Sequence, residues 1–277
     1  MKFFKSLILF CLLISTSVLQ AQSERRCGNE FAAYGLEGTT FSEALDFAGR
    51  THNNYQEYLL TELSLIRPNF NDTNRLKEII HEKSEEFFNA RGFNFNPDDF
   101  PLNLGVAANL DFGLPQENYS DAGLAIMEQL QELINSYNPE NDEDFFNTLN
   151  QLKGNALLLE NDTEVFLVGV PVSVAIHSYT YWKDNGQRWL DLFTEEEEMG
   201  GGGGPSFHAI TSYYKKCNVN LYKLGGADVS GAVSGAVGGG IAGPGGALAG
   251  GVLVSAATSL GNLTNQVISC YVSWWPF

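Results

Sequence analysis

The sequence predicts a mainly α-helical protein, with a helical body followed by a Gly/Ala-rich C-terminal helical hairpin. Apolar residues recur at intervals of three to four positions through much of residues 40–194, which is the helical period. Residues 225–269 hold no charge after Asp228 and carry a small residue at every fourth position, which places these residues on one face of a helix. The face consists of Gly231, Gly235, Gly239, Gly243, Ala247, Gly251, Ser255 and Ser259.

Residues 1–21 have the features of a secretory signal peptide. Lys2 and Lys5 form a basic start, residues 7–18 are apolar, and Leu19-Gln20-Ala21 is a suitable cleavage site. No cysteine stands in the context of a lipoprotein acylation site. We therefore expect a secreted or periplasmic protein without a lipid anchor.

The chain is strongly acidic, with 33 Asp and Glu residues against 16 Lys and Arg residues and a formal net charge of −17. Cleavage of the signal peptide would remove two lysines and no acid. Such a charge repels nucleic acid and anionic lipid headgroups, which argues against an electrostatically driven partner of either kind. Roughly 255 residues would remain, enough for one large domain or two small ones.

Start and stop signals divide the body, residues 22–194, into helices. Thr40 with Glu43 forms a capping box, which predicts a helix start. Residues 93–118 lack a period and are expected to form a long packed loop with one helical turn near Val106. The expected helices run from Thr40 to Pro68, from Asn71-Asp72-Thr73 to Arg91-Gly92, from Ser120 or Asp121 to Asn138-Pro139, and from Asn141 to a cap at Gly154.

Residues 163–182 allow two interpretations. The valines between 165 and 174 have strand propensity. A helix is favoured by Pro171, which suits a first helical turn, and by a stripe of apolar residues at helical spacing, and it allows a kink at the proline. The stripe consists of Val172, Ala175, Ile176, Tyr179 and Trp182.

An acidic run and a glycine run separate the body from the tail. Residues 195–198 are glutamates and residues 200–204 are glycines, so we assign residues 195–205 as a linker. The C-terminal segment is then 206–277, and it contains the predicted glycine-zipper hairpin, 225–269.

Gly243-Pro244-Gly245-Gly246 is a turn signal that divides the hairpin into two arms of about 16 residues. A helical arm of that length is about 24 Å long and does not reach across a hydrocarbon core of about 30 Å. Each glycine inside an arm costs about 1 kcal/mol of helix propensity. The arms therefore need a supporting surface, which is the other arm, the body or lipid.

Three cysteines would remain in the mature chain, namely Cys27, Cys217 and Cys270. Cys217 and Cys270 flank the hairpin, so a fold-back would bring them together and favour a disulfide in an oxidising compartment. That bridge would contribute roughly 4 kcal/mol in the chain-entropy model. Three unpaired thiols are the alternative.

No motif indicates a catalytic, cofactor or metal site. His81-Glu82 lacks the second histidine of a zinc motif, residues 141–144 lack the glycine and glutamate of an EF-hand, and the glycines at 235–240 lack the lysine of a phosphate loop. No Gly-x-Ser-x-Gly elbow occurs, and the four histidines lie far apart. We expect no enzyme and no cofactor, although carboxylates spread along the chain leave hydrolase chemistry open.

Three short motifs follow one another along the chain. They are His52-Asn53 in the first expected helix, Ser178-Tyr179 with Tyr181-Trp182, and Ala-Asp-Val-Ser-Gly-Ala at 227–232. In these motifs the chain resembles a loose group of small exported proteins of Bacteroidetes-type bacteria with a helical body and a Gly/Ala-rich tail. The resemblance spans most of the mature chain, and it implies this architecture but no activity and no catalytic residue.

Two functions follow from these observations. In the first, the hairpin packs on the helical body and the protein mediates an interaction with an unknown protein partner or with a second copy of itself. In the second, the protein resembles bacteriocin-like peptides and pore-forming toxins in its tail, and it inserts the hairpin into a membrane. The interaction is the primary prediction.

Overall fold

The computed structural model describes residues 25–68, 72–93, 112–194 and 220–274, and α-helices make up most of them. The predicted mainly α class is therefore confirmed. Short 3-10 helices lie before α1, α3 and α4, at Asn29–Tyr34, Gln116–Asn118 and Pro139–Asn141. The α-helices are α1 (Phe41–Ile66), α2 (Thr73–Asn89), α3 (Asp121–Asn135), α4 (Asp142–Ala156), α5 (Asp162–Thr194), α6 (Leu221–Gly240) and α7 (Pro244–Trp274).

The helix starts agree with the predicted caps. Thr40 accepts a hydrogen bond from the backbone N–H of Glu43, and the Glu43 carboxylate accepts one from the Thr40 backbone, which completes the capping box of α1. Asp72 caps α2 and Ser120 caps α3. The predicted cap at Gly154 is wrong, because the helical hydrogen bonds of α4 continue past this glycine to Ala156.

Residues 163–182 are helical and lie within α5, so the helix interpretation is confirmed. The predicted place of Pro171 in a first turn is wrong, because the helix begins at Asp162 and the proline lies well inside it. Val165, Val168 and Val172 are all fully buried. A helix that is covered on all sides can be apolar on all sides, which explains why its valines also resemble a buried strand.

Helix α5 is the centre of the packing, since α1, α4, α6 and α7 all lie against it. At the crossing with α1, the Ser173 hydroxyl donates to the backbone oxygen of Leu45 at 2.6 Å. Gly49 and Gly169 lie at the same crossing, where an added Cβ on Gly49 would meet the His177 ring and the Ser173 backbone oxygen, and one on Gly169 would meet the Leu45 side chain. Residues of α6 and α7 belong to the same hydrophobic core as those of α1 and α5.

The hairpin arms are longer than predicted. Helix α6 has 20 residues and α7 has 31 residues, because helical structure starts before Ala227 and continues beyond Gly261. Helix α7 is thus about 46 Å long, and the prediction that each arm is too short to cross a membrane is wrong for it. Two segments of the described chain, Asp162–Leu192 and Pro244–Thr264, are long and apolar enough to span a bilayer, but 83% and 65% of their most apolar windows are buried in the fold.

Several predictions lie outside the described residues. They concern the signal peptide at 1–21, the helical turn near Val106, the linker at 195–205, and the Cys217–Cys270 disulfide, of which neither side chain is described. Cys27 is buried and carries a free thiol, and burial raises the pKa of this thiol.

Candidate functional site

The two arms of the hairpin approach each other backbone to backbone. A Cβ added to Gly235 would overlap the carbonyl oxygen of Gly250, and one added to Gly239 would overlap that of Gly246. The same overlap occurs in the reverse direction from Gly246 and Gly250. No residue larger than glycine fits this contact without moving the helices apart, so these glycines set the distance between α6 and α7.

The first part of the predicted small face lies at this contact. Gly231, Gly235 and Gly239 all face α7, and an added Cβ on Gly231 would lie 2.7 Å from the Cα atom of Ser255. Gly243 does not belong to the contact, because it forms the turn with a φ of 88° and has open space around its Cα atom. A left-handed backbone at this position favours glycine.

The second part of the predicted face lies between α6 and the body. An added Cβ on Gly251 would meet the Val170 side chain of α5 at 2.5 Å, and it would lie 3.3 Å from the Ala232 oxygen and 3.5 Å from the Ala236 Cβ atom of α6. This glycine therefore packs closest on the body and also contacts α6. The α7 glycines in the tightest backbone contact with α6 are Gly246 and Gly250, each one position before a residue of the predicted face. The contact between the arms therefore includes Gly231, Gly235 and Gly239 as predicted, whereas Gly243 lies in the turn and the tightest approach on α7 falls one position before Gly251.

A fully buried polar network ties the hairpin to the body. Asp228 of α6 is its centre, and its Oδ1 atom lies 3.1 Å from His52 Nε2 of α1 at an ion-pair distance that lacks the geometry of a hydrogen bond. The Oδ2 atom accepts hydrogen bonds from the Ser178 hydroxyl and, at 2.7 Å, from Trp182 Nε1, both on α5. All four side chains have no exposed surface. The network thus joins three helices at one carboxylate.

The contacts of His52 with Asn53 and Asp228 favour an imidazolium. Asn53 donates from Nδ2 to the backbone oxygen of His177 at 2.9 Å, which turns its Oδ1 towards His52 Nδ1 at 3.1 Å. Nδ1 therefore faces an acceptor and Nε2 faces the Asp228 carboxylate, so both ring nitrogens are placed to carry hydrogen. Burial by itself lowers the pKa of His52, but the charge of Asp228 and these contacts outweigh it and raise the pKa above its usual value.

The contact between these residues was not predicted, although all of them stand in the motifs on which the resemblance rests. Two signals could have found it. His52 stands on the apolar stripe of α1, and Asp228 is the single charged residue in 225–269. A lone carboxylate in an apolar helix needs a polar partner when it is buried, and a histidine on a buried stripe is a suitable one.

Histidine, aspartate and serine together do not form a catalytic arrangement here. The Ser178 hydroxyl donates to Asp228, so its hydrogen is not directed at the imidazole of His52. Nucleophilic catalysis requires a hydrogen bond from the nucleophile to its base and access for a substrate. The geometry instead fits a structural role at the crossing of α1, α5 and α6.

A second charged cluster lies between α1, α4 and α5. Asp46 accepts a hydrogen bond from Lys153, and His177 Nε2 lies 3.8 Å from the same carboxylate oxygen. The interaction with His177, supported by that with Lys153, lowers the pKa of Asp46 to about 2. The cluster is partly exposed, and it links α1, α4 and α5 near the surface of the protein.

An open cleft of about 1000 Å³ lies at the turn of the hairpin. One wall is the end of α6 and the turn, with Val237, Gly240 and Ile241, and the other walls come from the segments before α3 and α5. Ile241 is 95% exposed and Leu158, across the cleft, is 36% exposed. These two residues form an apolar rim that the body leaves uncovered.

The cleft is acidic. Glu117, Asp121, Glu160 and Glu164 line it, and its described lining includes no Lys, Arg or His. Glu164 is buried and accepts hydrogen bonds from the backbone N–H and the hydroxyl of Ser120, at 2.6 and 2.7 Å, which fixes the start of α3.

Tyr119 also lines the cleft and carries an unsatisfied hydroxyl. Its oxygen is buried and has no hydrogen-bond partner among the described protein atoms. Burial, together with the charge of Glu164, raises the pKa of Tyr119 to about 12, so the hydroxyl keeps its hydrogen at neutral pH. The cleft thus offers carboxylates and an apolar rim, with the Tyr119 hydroxyl buried behind its surface.

Within the described ranges, no three His, Cys, Asp or Glu side chains are grouped so that they could hold a metal ion. Comparison with known proteins found no matching family model, no matching curated protein and no matching solved structure. The resemblance to exported Bacteroidetes-type proteins therefore stays a prediction.

Proposed function

We propose that this is an exported, non-enzymatic interaction protein whose hairpin is a permanent part of the helical core and whose hairpin turn contacts a protein partner. The observation that carries the proposal is the exposure of Ile241. This residue is 95% exposed in a hairpin whose other large apolar residues with described side chains are mostly buried. It also forms a wall of the acidic cleft. An exposed apolar residue at the rim of a cleft is typical of a contact surface.

The contacts of the hairpin support its permanent place in the core. Asp228 is bonded to two body helices, and Leu224, Val229 and Val233 of α6 are buried. Withdrawal of the hairpin would expose these residues, and it would separate His52 from the carboxylate that it faces. Both consequences are unfavourable.

The membrane-active alternative is favoured by one observation, namely the length and apolarity of Asp162–Leu192 and Pro244–Thr264. Most of that surface is occupied by packing within the fold, and α6 would carry the Asp228 carboxylate into lipid. A carboxylate at the centre of a bilayer is costly, so insertion would need the carboxylate to be neutralised.

The proposed contact is tested with a photo-crosslinking residue at position 241. A matched control carries the same residue at Leu65, which is 75% exposed and lies at the end of α1, outside the cleft. We expect a defined adduct from position 241 and none from position 65 when the protein is exported by its own producing cell. The partner identified by mass spectrometry, once purified, should bind Ile241→Asp about tenfold more weakly than the wild type.

Liposome flotation and dye release with the mature protein test the alternative. Flotation with dye release by the wild type would contradict the proposal and support insertion. Equal adducts from positions 241 and 65, or equal affinity of the partner for wild type and Ile241→Asp, would remove the hairpin turn from the contact.

A further inference from the structure

The charge of the cleft at the hairpin turn bears on which ligand it can hold. Its described lining holds four carboxylates and no basic group, and the whole chain carries a net charge of −17. An anionic ligand would be repelled both by the lining and by the field of the protein. A positive group is attracted both by the carboxylates of the lining and by the net charge of the protein, so charge complementarity favours a cation.

The apolar rim adds a second requirement. Leu158 and Ile241 leave apolar surface open to solvent, and Leu167 and Val237 continue it into the cleft. A ligand that covers this surface gains from its burial. Glu117 and Glu160 are both exposed and line the same cleft, so an apolar group and a positive group of one ligand can be accommodated together.

From this juxtaposition we infer that the cleft binds a peptide segment of a partner protein that carries a basic side chain next to an apolar one. The inference rests on the proposed function and names the chemistry of the partner at the same site. The volume of about 1000 Å³ is at the upper end of the range for small-molecule pockets, roughly 300–1,000 Å³, and the cleft is open, which suits an extended chain.

The test uses labelled heptapeptides of arginine and leucine in several orders, titrated against the full mature protein by fluorescence anisotropy. Two control series replace every arginine with glutamate or every leucine with serine. The arginine–leucine peptides are expected to bind, and their binding should weaken as salt is raised, whereas both control series should bind at least about tenfold more weakly.

Protein variants assign the binding to the cleft. Glu117→Gln with Glu160→Gln removes two exposed carboxylates of the lining and should weaken binding about threefold to tenfold, and Ile241→Ser should weaken it about tenfold. The matched control is Glu85→Gln with Glu128→Gln, which makes the same charge change at two exposed positions outside the cleft and should leave the affinity within about twofold. Thermal unfolding of each variant confirms that it is folded.

Three results would overturn the inference: no binding by any arginine–leucine peptide up to about 1 mM, equal binding of the glutamate series, or equal affinities of the cleft double variant and its control. These failures are distinguishable from failure of the proposed function. A specific adduct at position 241 together with no peptide binding would keep the hairpin contact and reject the ligand class. Absence of both the adduct and peptide binding would reject the proposed function and the ligand class together.

Discussion

Replacement of Asp228 by asparagine tests whether the buried network holds the hairpin on the body. The side chain keeps its size but loses its charge, so packing in the core is preserved. The carboxylate now accepts from Ser178 and Trp182 at one oxygen and faces His52 with the other. An asparagine has one acceptor oxygen, and its NH2 group must face either the two α5 donors or the imidazole.

The expected loss follows from the burial of the pair. His52 and Asp228 are both fully buried, and removal of one partner of a buried ion pair costs roughly 3–5 kcal/mol. For a chain of this size, 1 kcal/mol corresponds to about 2–4 °C in the unfolding midpoint. Asp228→Asn should therefore lower the midpoint by about 6–20 °C.

A double-mutant cycle with His52→Gln separates the pair from its surroundings. Each single variant leaves one polar group without its partner, whereas the double variant removes both charges. The double variant should therefore be more stable than the sum of the two single effects predicts, by about 0.5–3 kcal/mol, measured by urea unfolding. Additive effects, or an Asp228→Asn midpoint within about 2 °C of the wild type, would refute the role of the network.

The same pair predicts a pH dependence. The pKa of His52 is raised in the folded protein above its value of about 6.5 in the unfolded chain. The protonated His52 therefore contributes its full stabilisation of the fold below about pH 6.5, and this contribution is lost as the pH rises through the pKa of His52 in the folded protein. The unfolding free energy of the wild type should fall over this alkaline range by up to about 1.4 kcal/mol per pH unit. His52→Gln should lack this decrease, and an unchanged pH profile in that variant would contradict the assignment.

Three further variants test other parts of the fold. Gly235→Ala should destabilise the protein by about 1–3 kcal/mol, because the added Cβ overlaps a backbone oxygen of α7. Gly238→Ala, in open space on the same helix, should be neutral or stabilising. Both variants are measured by urea unfolding. The pKa of the Asp46 carboxyl is depressed to about 2, so the wild type should lose the stability that this carboxylate contributes as the pH falls from about 4 towards 2. Asp46→Asn should lack this loss when acid unfolding is followed by circular dichroism. Identical acid profiles of the variant and the wild type would contradict this. Thr40→Ala should cost about 1 kcal/mol through loss of the capping box, and Thr61→Ala, on the exposed part of the same helix, should cost less.

The local features of this protein could be predicted from its sequence. The starts of α1, α2 and α3 follow from Thr40, Asp72 and Ser120, because each cap is a hydrogen bond between residues three positions apart. The turn at Gly243 follows from the Gly-Pro-Gly-Gly run for the same reason. Such interactions involve neighbours in the chain, and the sequence specifies them directly.

The site could be predicted only in part. Asp228 as a lone charge and His52 on an apolar stripe were visible, but their pairing depends on how α1, α5 and α6 cross. The cleft was not visible at all, because its acidic residues come from separate segments and Ile241 is exposed only through the position of the turn.

The sequence by itself determined that this chain forms helices, where most of them begin, and that two glycine-rich helices turn back at Gly243. Tertiary structure decided which faces those helices use. Gly250 approaches the α6 backbone more closely than Gly251, which packs closest on α5, since direction around a helix is not carried through a turn. Asp228 meets His52 because burial in an apolar core forces a carboxylate towards the polar group that the packing brings within reach.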